Sequence, residues 1–198
     1  INMLVGFFMG LSTGAGVVIS QYYGAGRMKL MSKAIHSSLA LTAVLSVVFT
    51  AAGLLFTRPL LNAIGVPQEV MPDSVLYLTI YFTGMTFSLF YNIGAGILRA
   101  IGDSRHPLYY LAVASVVNIV LDFTFVCAFH MGVEGVAIAT VIAQAVSSIM
   151  VMYKLIRTNE SYQVRIREIR MNRLMVWKIV GIGFPAALQQ SITSFSNV

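Results

Sequence analysis
Five stretches of this chain run for about twenty residues or more without a charged side chain, and a sixth carries a single acid. The uncharged stretches are 1–26, 37–57, 74–98, 135–153 and 179–198, while 107–131 is interrupted only by Asp122. A helix needs roughly 20 mostly apolar residues to cross the hydrocarbon core of a bilayer. Each stretch therefore reads as a membrane span, the last one running out at the chain end. Composition agrees, with 58% of the 198 residues hydrophobic and 10% charged, where soluble domains carry about 25% charge. Too few charges remain to keep a soluble surface hydrated, and a disordered chain would leave this apolar surface in water. Strands of an outer-membrane barrel are about 10 residues long and alternate strictly, which the run 39–45 does not. The expected fold is all-α, a polytopic transmembrane helical bundle. The first stretch lacks a basic start and an initiator methionine, so it is not a signal peptide, and the chain reads as a piece of a longer protein.

The distribution of basic residues sets the orientation. Counting connections between successive spans, the first, third and fifth together hold twelve of the 13 Lys and Arg residues. The second holds only Arg58, and the fourth none. By the positive-inside rule the odd connections face the cytoplasm, which places loops 24–36, 99–106 and 154–178 there, in a multi-pass protein of the cell membrane. The net charge of +6 is then topology and not a nucleic-acid site. The basic stretch from Lys154 to Lys178 reads as a topogenic loop, with contact to anionic headgroups as its alternative.

Within the spans, Asp122 is the only ionisable acid. Such a residue is costly in hydrocarbon and marks ion or proton pathways when it faces a cavity or a partner. Asn118 and Ser115 precede it by four and seven residues and share its helical face. A carboxylate, an amide oxygen and a hydroxyl offer hard oxygen ligands to a small cation, or a relay to a proton. Thr79, Thr83, Thr86 and Asn92 in the third span, and Thr140, Gln144, Ser147 and Ser148 in the fifth, could complete that site or simply bond neighbouring helices. Tyr77, Tyr81 and Tyr91 suit a cavity for aromatic or cationic ligands. With Gln144 and Gln190 they form the candidate substrate cavity. Gly6, Gly10 and Gly14 in the first span are spaced for close helix approach, and Pro185 predicts a bend in the last.

Several chemistries have no support. There is no phosphate-binding GxxxxGK[ST] loop, no Ser/His/Asp arrangement and no HExxH. His36, His106 and His130 lie far apart at span ends, and Cys127 is the single cysteine. Neither an enzyme nor a metal centre is expected.

Five stretches nevertheless share a pattern: Gly10 to Gly16 leading to Ile19 through Gly26; Tyr91-Asn92 through Gly96 to Asp103 and Pro107; Asn118 to Asp122; Met131 to Thr140 with Gln144; and Gly183 to Gln190. In this order they resemble the multidrug and toxic compound extrusion (MATE) family of secondary transporters. The resemblance implies helices two to six of a twelve-helix protein, residues 1–156, as most of its N-terminal six-helix lobe. Residues 157–178 would be the basic cytoplasmic loop between lobes, and 179–198 the start of the seventh helix and second lobe. It implies efflux of organic, mostly cationic drugs in exchange for H⁺ or Na⁺, with no cofactor beyond that coupling ion. The partners it implies are the lipid bilayer, small organic cations and the remaining helices of the full-length chain. In the branch it resembles most, the fifth helix carries an Asp and an Asn four residues apart, which fall on Asp122 and Asn118. An Asn of the fourth helix and a Thr of the sixth match Asn92 and Thr140. No acid stands near Gln189, Gln190 and Ser191, which favours coupling through the first lobe. A lipid-linked oligosaccharide flippase of related architecture is the alternative, and would be expected to carry cations within its spans.

Overall fold
The computed structural model describes residues 2–196, with Ile1, Asn197 and Val198 outside it. Six long helices follow one another among the described residues: α1 (Asn2–Gly24), α2 (Met28–Ala63), α3 (Met71–Ala100), α4 (Arg105–Phe123), α5 (Val133–Arg157) and α6 (Arg173–Ser196). Every regular element described is helical. Apart from the terminal residues outside the description, each expected span falls mainly on one helix, except that 107–131 divides between α4, a π-helical turn at Thr124–Ala128 and three non-helical residues. Among the described residues, four helical segments, α2, α3, α4 with the turn that extends it, and α5, are long and apolar enough to cross a membrane by length and composition.

Helices α2, α3 and α5 outrun the uncharged stretches that predicted them. Residues 28–36, expected as loop, form the first turns of α2, leaving a connection of only three residues, 25–27. Lys29 and Lys33 are good helix formers, and a helix that projects past the hydrocarbon keeps them in water. At its other end α2 continues through Pro59 to Ala63. Gly26 and Gly102 take the positive φ, 69° and 92°, that the two tight inner turns require. Asp103 holds the entry to α4, accepting the His106 backbone N–H at 3.2 Å and pairing with its ring Nδ1 at 2.6 Å.

The main core occupies the half of the bundle that bears the basic connections, the inner half if those connections face the cytoplasm. Ile19, Ile35, Leu39, Ile97, Leu98, Leu155 and Ile179 are buried there together. A smaller cluster of Phe8, Phe82, Met85 and Leu89 lies further out. The most extensive helix pair is α1 with α6, so the segment expected to open a second lobe packs along the first helix. A Cβ at Gly10 would collide with the Ala187 backbone, and one at Gly14 with the Gly183 backbone. Only glycine lets these axes approach so closely. Pro185 sits inside α6 without ending it.

The 158–172 connection is bound to the bundle. Val164 is 1% exposed and donates its N–H to the Leu155 carbonyl at 2.9 Å. The buried His36 of α2 donates from Nδ1 to the Ser32 carbonyl at 2.7 Å and accepts the Arg165 N–H on Nε2 at 3.0 Å. This is the neutral imidazole with both nitrogens used.

Candidate functional site
The helix that carries Asp122 is patterned inside out. Val116, Ile119, Val120 and Phe123 of α4 are exposed, at 57–71% of their surface, while Asn118 and Asp122 are half-buried. Apolar side chains facing outward and polar ones inward is the arrangement a lipid-facing helix requires. Ser115 departs from the expected common face: it is exposed and its hydroxyl bonds the Leu111 carbonyl at 2.9 Å. Seven residues amount to only about 20° of rotation but ~10 Å along the axis, so Ser115 stands at another depth than Asp122, and its hydroxyl has found a partner in its own helix.

Helix register shows what lies at the depth of Asp122. A Cβ on Gly135 of α5 would meet Phe125 in the π turn that follows α4, and since α4 and α5 pack together across the short 129–132 connection they run antiparallel. Counting inward, Asp122 is level with Ile138 and Asn118 with Ile142, which puts Thr140 and Gln144 within about one turn. Helices α3 and α5 run parallel, Gly84 against Val141 and Gly94 against Val151. Tyr81 of α3 is thus also level with Asp122, and its hydroxyl interacts with the Gln144 side chain.

Among the described residues, three buried side-chain atoms have no hydrogen-bond partner: Asn118 Nδ2, Asp122 Oδ1 and Gln144 Oε1. All lie on the two adjacent helices α4 and α5. More than nine in ten buried polar groups in folded proteins are paired, so three orphans in one region form an exception with a chemical meaning. An unpaired carboxylate oxygen in low dielectric calls for a proton or a metal cation. Thr140 donates its hydroxyl proton to the Val136 carbonyl at 2.9 Å, which leaves its lone pairs to accept or ligate. The sequence offers Gln144 both to the acid's site and to the substrate cavity, and the register puts it level with Asn118, about six residues or ~9 Å inward of Asp122.

Asn92 lies elsewhere. By the same register it is about seven residues, or ~10 Å, further inward than Asn118. Its Nδ2 donates to the Ser88 carbonyl at 2.8 Å, and its own carbonyl accepts from Ser12 Oγ at 2.7 Å. With Tyr91, Arg99, Gln189 and Gln190 it lines a cavity of about 500 Å³ between α1, α3, α4 and α6. The five expected cavity residues therefore do not share one cavity. Tyr91 and Gln190 line this one, where the Tyr91 hydroxyl also donates to the Pro107 carbonyl at 3.0 Å. Tyr77 and Tyr81 stack with ring centroids 6.3 Å apart in the outer half of α3. Nor did the sequence signal the π-helical turn at Thr124–Ala128, directly after the acid-bearing face of α4. Such turns recur at functional sites because they rotate one part of a helix face against the next.

A profile for the MatE family matches residues 1–124, more than half of the chain. The chain belongs to the MatE family. It is 31% identical over 193 residues to the probable multidrug resistance protein YpnP of Bacillus subtilis, covering 96% of this chain and 42% of that one. It superposes with a TM-score of 0.89 on a multidrug resistance MATE family transporter of the MOP superfamily in an inward-facing conformation, at 28% identity over 98% of this chain and 45% of the other. An outward-facing conformation of such a transporter matches with a TM-score of 0.87 at 27% identity, covering 95% and 42%. The chain thus spans less than half the length of these relatives, and forms a multi-pass helical bundle of the MATE type.

Proposed function
We propose that this lobe serves a secondary transporter of the cell membrane that exports organic, mostly cationic compounds in exchange for H⁺ or Na⁺. The observation that carries the proposal is the unpaired Asp122 oxygen, on a pair of packed helices that also bear the unpaired atoms Asn118 Nδ2 and Gln144 Oε1. Asp122 receives the ion from the outer side, and Asn118, Gln144 and Thr140 supply neutral oxygens around it. For Asn118 this takes a turn of the amide that brings its oxygen to where Nδ2 now points, an exchange of nearly equal shapes. Neutralising the acid changes the relative stability of two helix arrangements by the difference in ion affinity between them, and by no more. Each positive charge entering down the membrane potential contributes about 2.3 kcal/mol per 100 mV. Loops 25–27, 101–104 and 158–172 face the cytoplasm in this reading, and the inner cavity at Asn92, Tyr91 and Gln190 is this lobe's share of the substrate path. The MATE and multidrug-resistance relatives support efflux as the direction of transport.

A second reading of the substrate rests on Arg99, the one charged residue among those described that lines the inner cavity. A cation there favours substrates bearing an anionic group, and one relative, 26% identical over 200 residues, is named an FAD transporter. The test is export from energised cells carrying the full-length protein, with ethidium and a flavin nucleotide as alternative substrates and the H⁺ and Na⁺ gradients collapsed separately. Wild type should export at least one of them under one gradient only, and Asp122→Asn should not at equal abundance. Full activity in Asp122→Asn would remove the site from the mechanism.

A further inference from the structure
We propose that the cleft between the inner end of α2 and the α5–α6 connection binds the headgroup of an anionic phospholipid. Depth is the first argument. The uncharged stretch Ser37–Thr57 of α2 spans about 30 Å at 1.5 Å per residue, the thickness of the hydrocarbon core. Ser32, Lys33 and His36 therefore stand in the headgroup layer. Here the structure opens a cleft of about 530 Å³, with Lys33 on one wall and Arg167 and Arg170 on the other. That is more than an isolated phosphate ion fills, and suits a glycerophosphate headgroup.

Charge is the second argument. Glu168 is the one acid among the described residues lining the cleft, and it is engaged with Arg165 at 3.2 Å. Lys33, Arg167 and Arg170 make no ion pair among the described residues, so three cations face one compensated acid. A recess lined by one sign of charge concentrates counter-ions beyond what the same charges do on an open surface.

Preorganisation is the third. The chain carrying Arg167 and Arg170 is fixed on both sides of the cleft. Before it, the Arg165 N–H is held by His36. After it, Ser37 Oγ donates to the Arg170 carbonyl at 3.4 Å and accepts the Asn172 N–H at 3.2 Å. Ordering these cations is completed in folding, so little is lost when an anion binds. Orientation by the positive-inside rule needs a number of basic residues on one side, and neither a cleft nor a loop held by a buried histidine.

The test uses the full-length transporter in neutral detergent, with retained lipid read by native mass spectrometry. The probes are phosphatidylglycerol and phosphatidylcholine, each alone and against excess inorganic phosphate. Lys33, Arg167 and Arg170 are exposed, so their joint replacement by Gln leaves the buried contacts of the loop in place. Replacing Arg27, Arg105 and Arg157 by Gln removes equal charge from the same side, away from the cleft. The proposal expects wild type and this control to retain phosphatidylglycerol over phosphatidylcholine, and the cleft variant to lose that preference by about tenfold or more, each cation near the surface being worth about fivefold. Equal loss in both variants would overturn it in favour of general surface charge. No preference in wild type, or tight inorganic phosphate binding without lipid selectivity, would overturn it as well.

Discussion

An acid oxygen without a hydrogen bond inside a helical bundle needs a compensating partner, and Asp122 has its unpaired neighbours on α4 and α5. If Gln144 Oε1 ligates the coupling ion, Gln144→Leu should weaken ion dependence by about tenfold while substrate binding persists, since a hydrogen bond to a charged group is worth roughly 1.5–3 kcal/mol. The apparent Km for Na⁺, or the pH midpoint of transport, reads this directly. A second residue-scale prediction concerns the glycines of α1. A methyl at Gly10 overlaps the α6 backbone, whereas one at Gly16 meets the Gly96 carbonyl oxygen at an ordinary 3.7 Å. Gly10→Ala should destabilise the full-length protein in detergent by about 1–3 kcal/mol, and Gly16→Ala far less, as read by thermal unfolding. Asp122 was legible because an acid among apolar residues is too costly at membrane depth to persist without a partner or a task. Gln144 was not, because a glutamine at helical spacing reads the same whether it bonds a neighbouring helix or lines a site. Its unpaired oxygen exists only once α4 and α5 are side by side.

At the scale of elements, uncharged length located each helix, and helix ends were the less legible part. Lys29 and Lys33 read as loop if charge ends a span, but a helix is free to leave the membrane before it ends. The docking of the 158–172 connection was also hidden, since His36 and Ser37 acquire their partners across more than 120 residues of sequence. His36→Ala removes the acceptor of the Arg165 N–H. It should cost about 1 kcal/mol, in the range for an unmet hydrogen bond partly reached by water. Faster proteolysis within 158–172 in inside-out vesicles would register that loss, with cleavage elsewhere unchanged. The π turn after Phe123 had no sequence signal, because its sequence is as apolar as the helix before it. It lies between the Asn118–Asp122 face and the outer end of the helix.

For the whole molecule, the charge count and the fold make one statement about topology. In a cysteine-free full-length background, Glu160→Cys should react with an impermeant maleimide only from the cytoplasmic side, and Glu69→Cys only from outside. Labelling of both from one side would invalidate the orientation. The lobe matches inward- and outward-facing transporters almost equally, with TM-scores of 0.89 and 0.87. Transport on this account moves the lobe largely as a unit, as rocking of one repeat against another requires. Close glycine packing between α1 and α6 then couples the connection after α5 to the first helix of the bundle. Whether Asp122 joins ion flow to substrate flow is decided most directly in proteoliposomes of the full-length protein, by measuring H⁺ or Na⁺ flux and substrate flux together under an imposed gradient. Wild type should move the ion in fixed proportion to substrate, and Asp122→Asn should abolish the ion flux while still binding substrate. Ion flux that stays proportional to substrate in Asp122→Asn would contradict it.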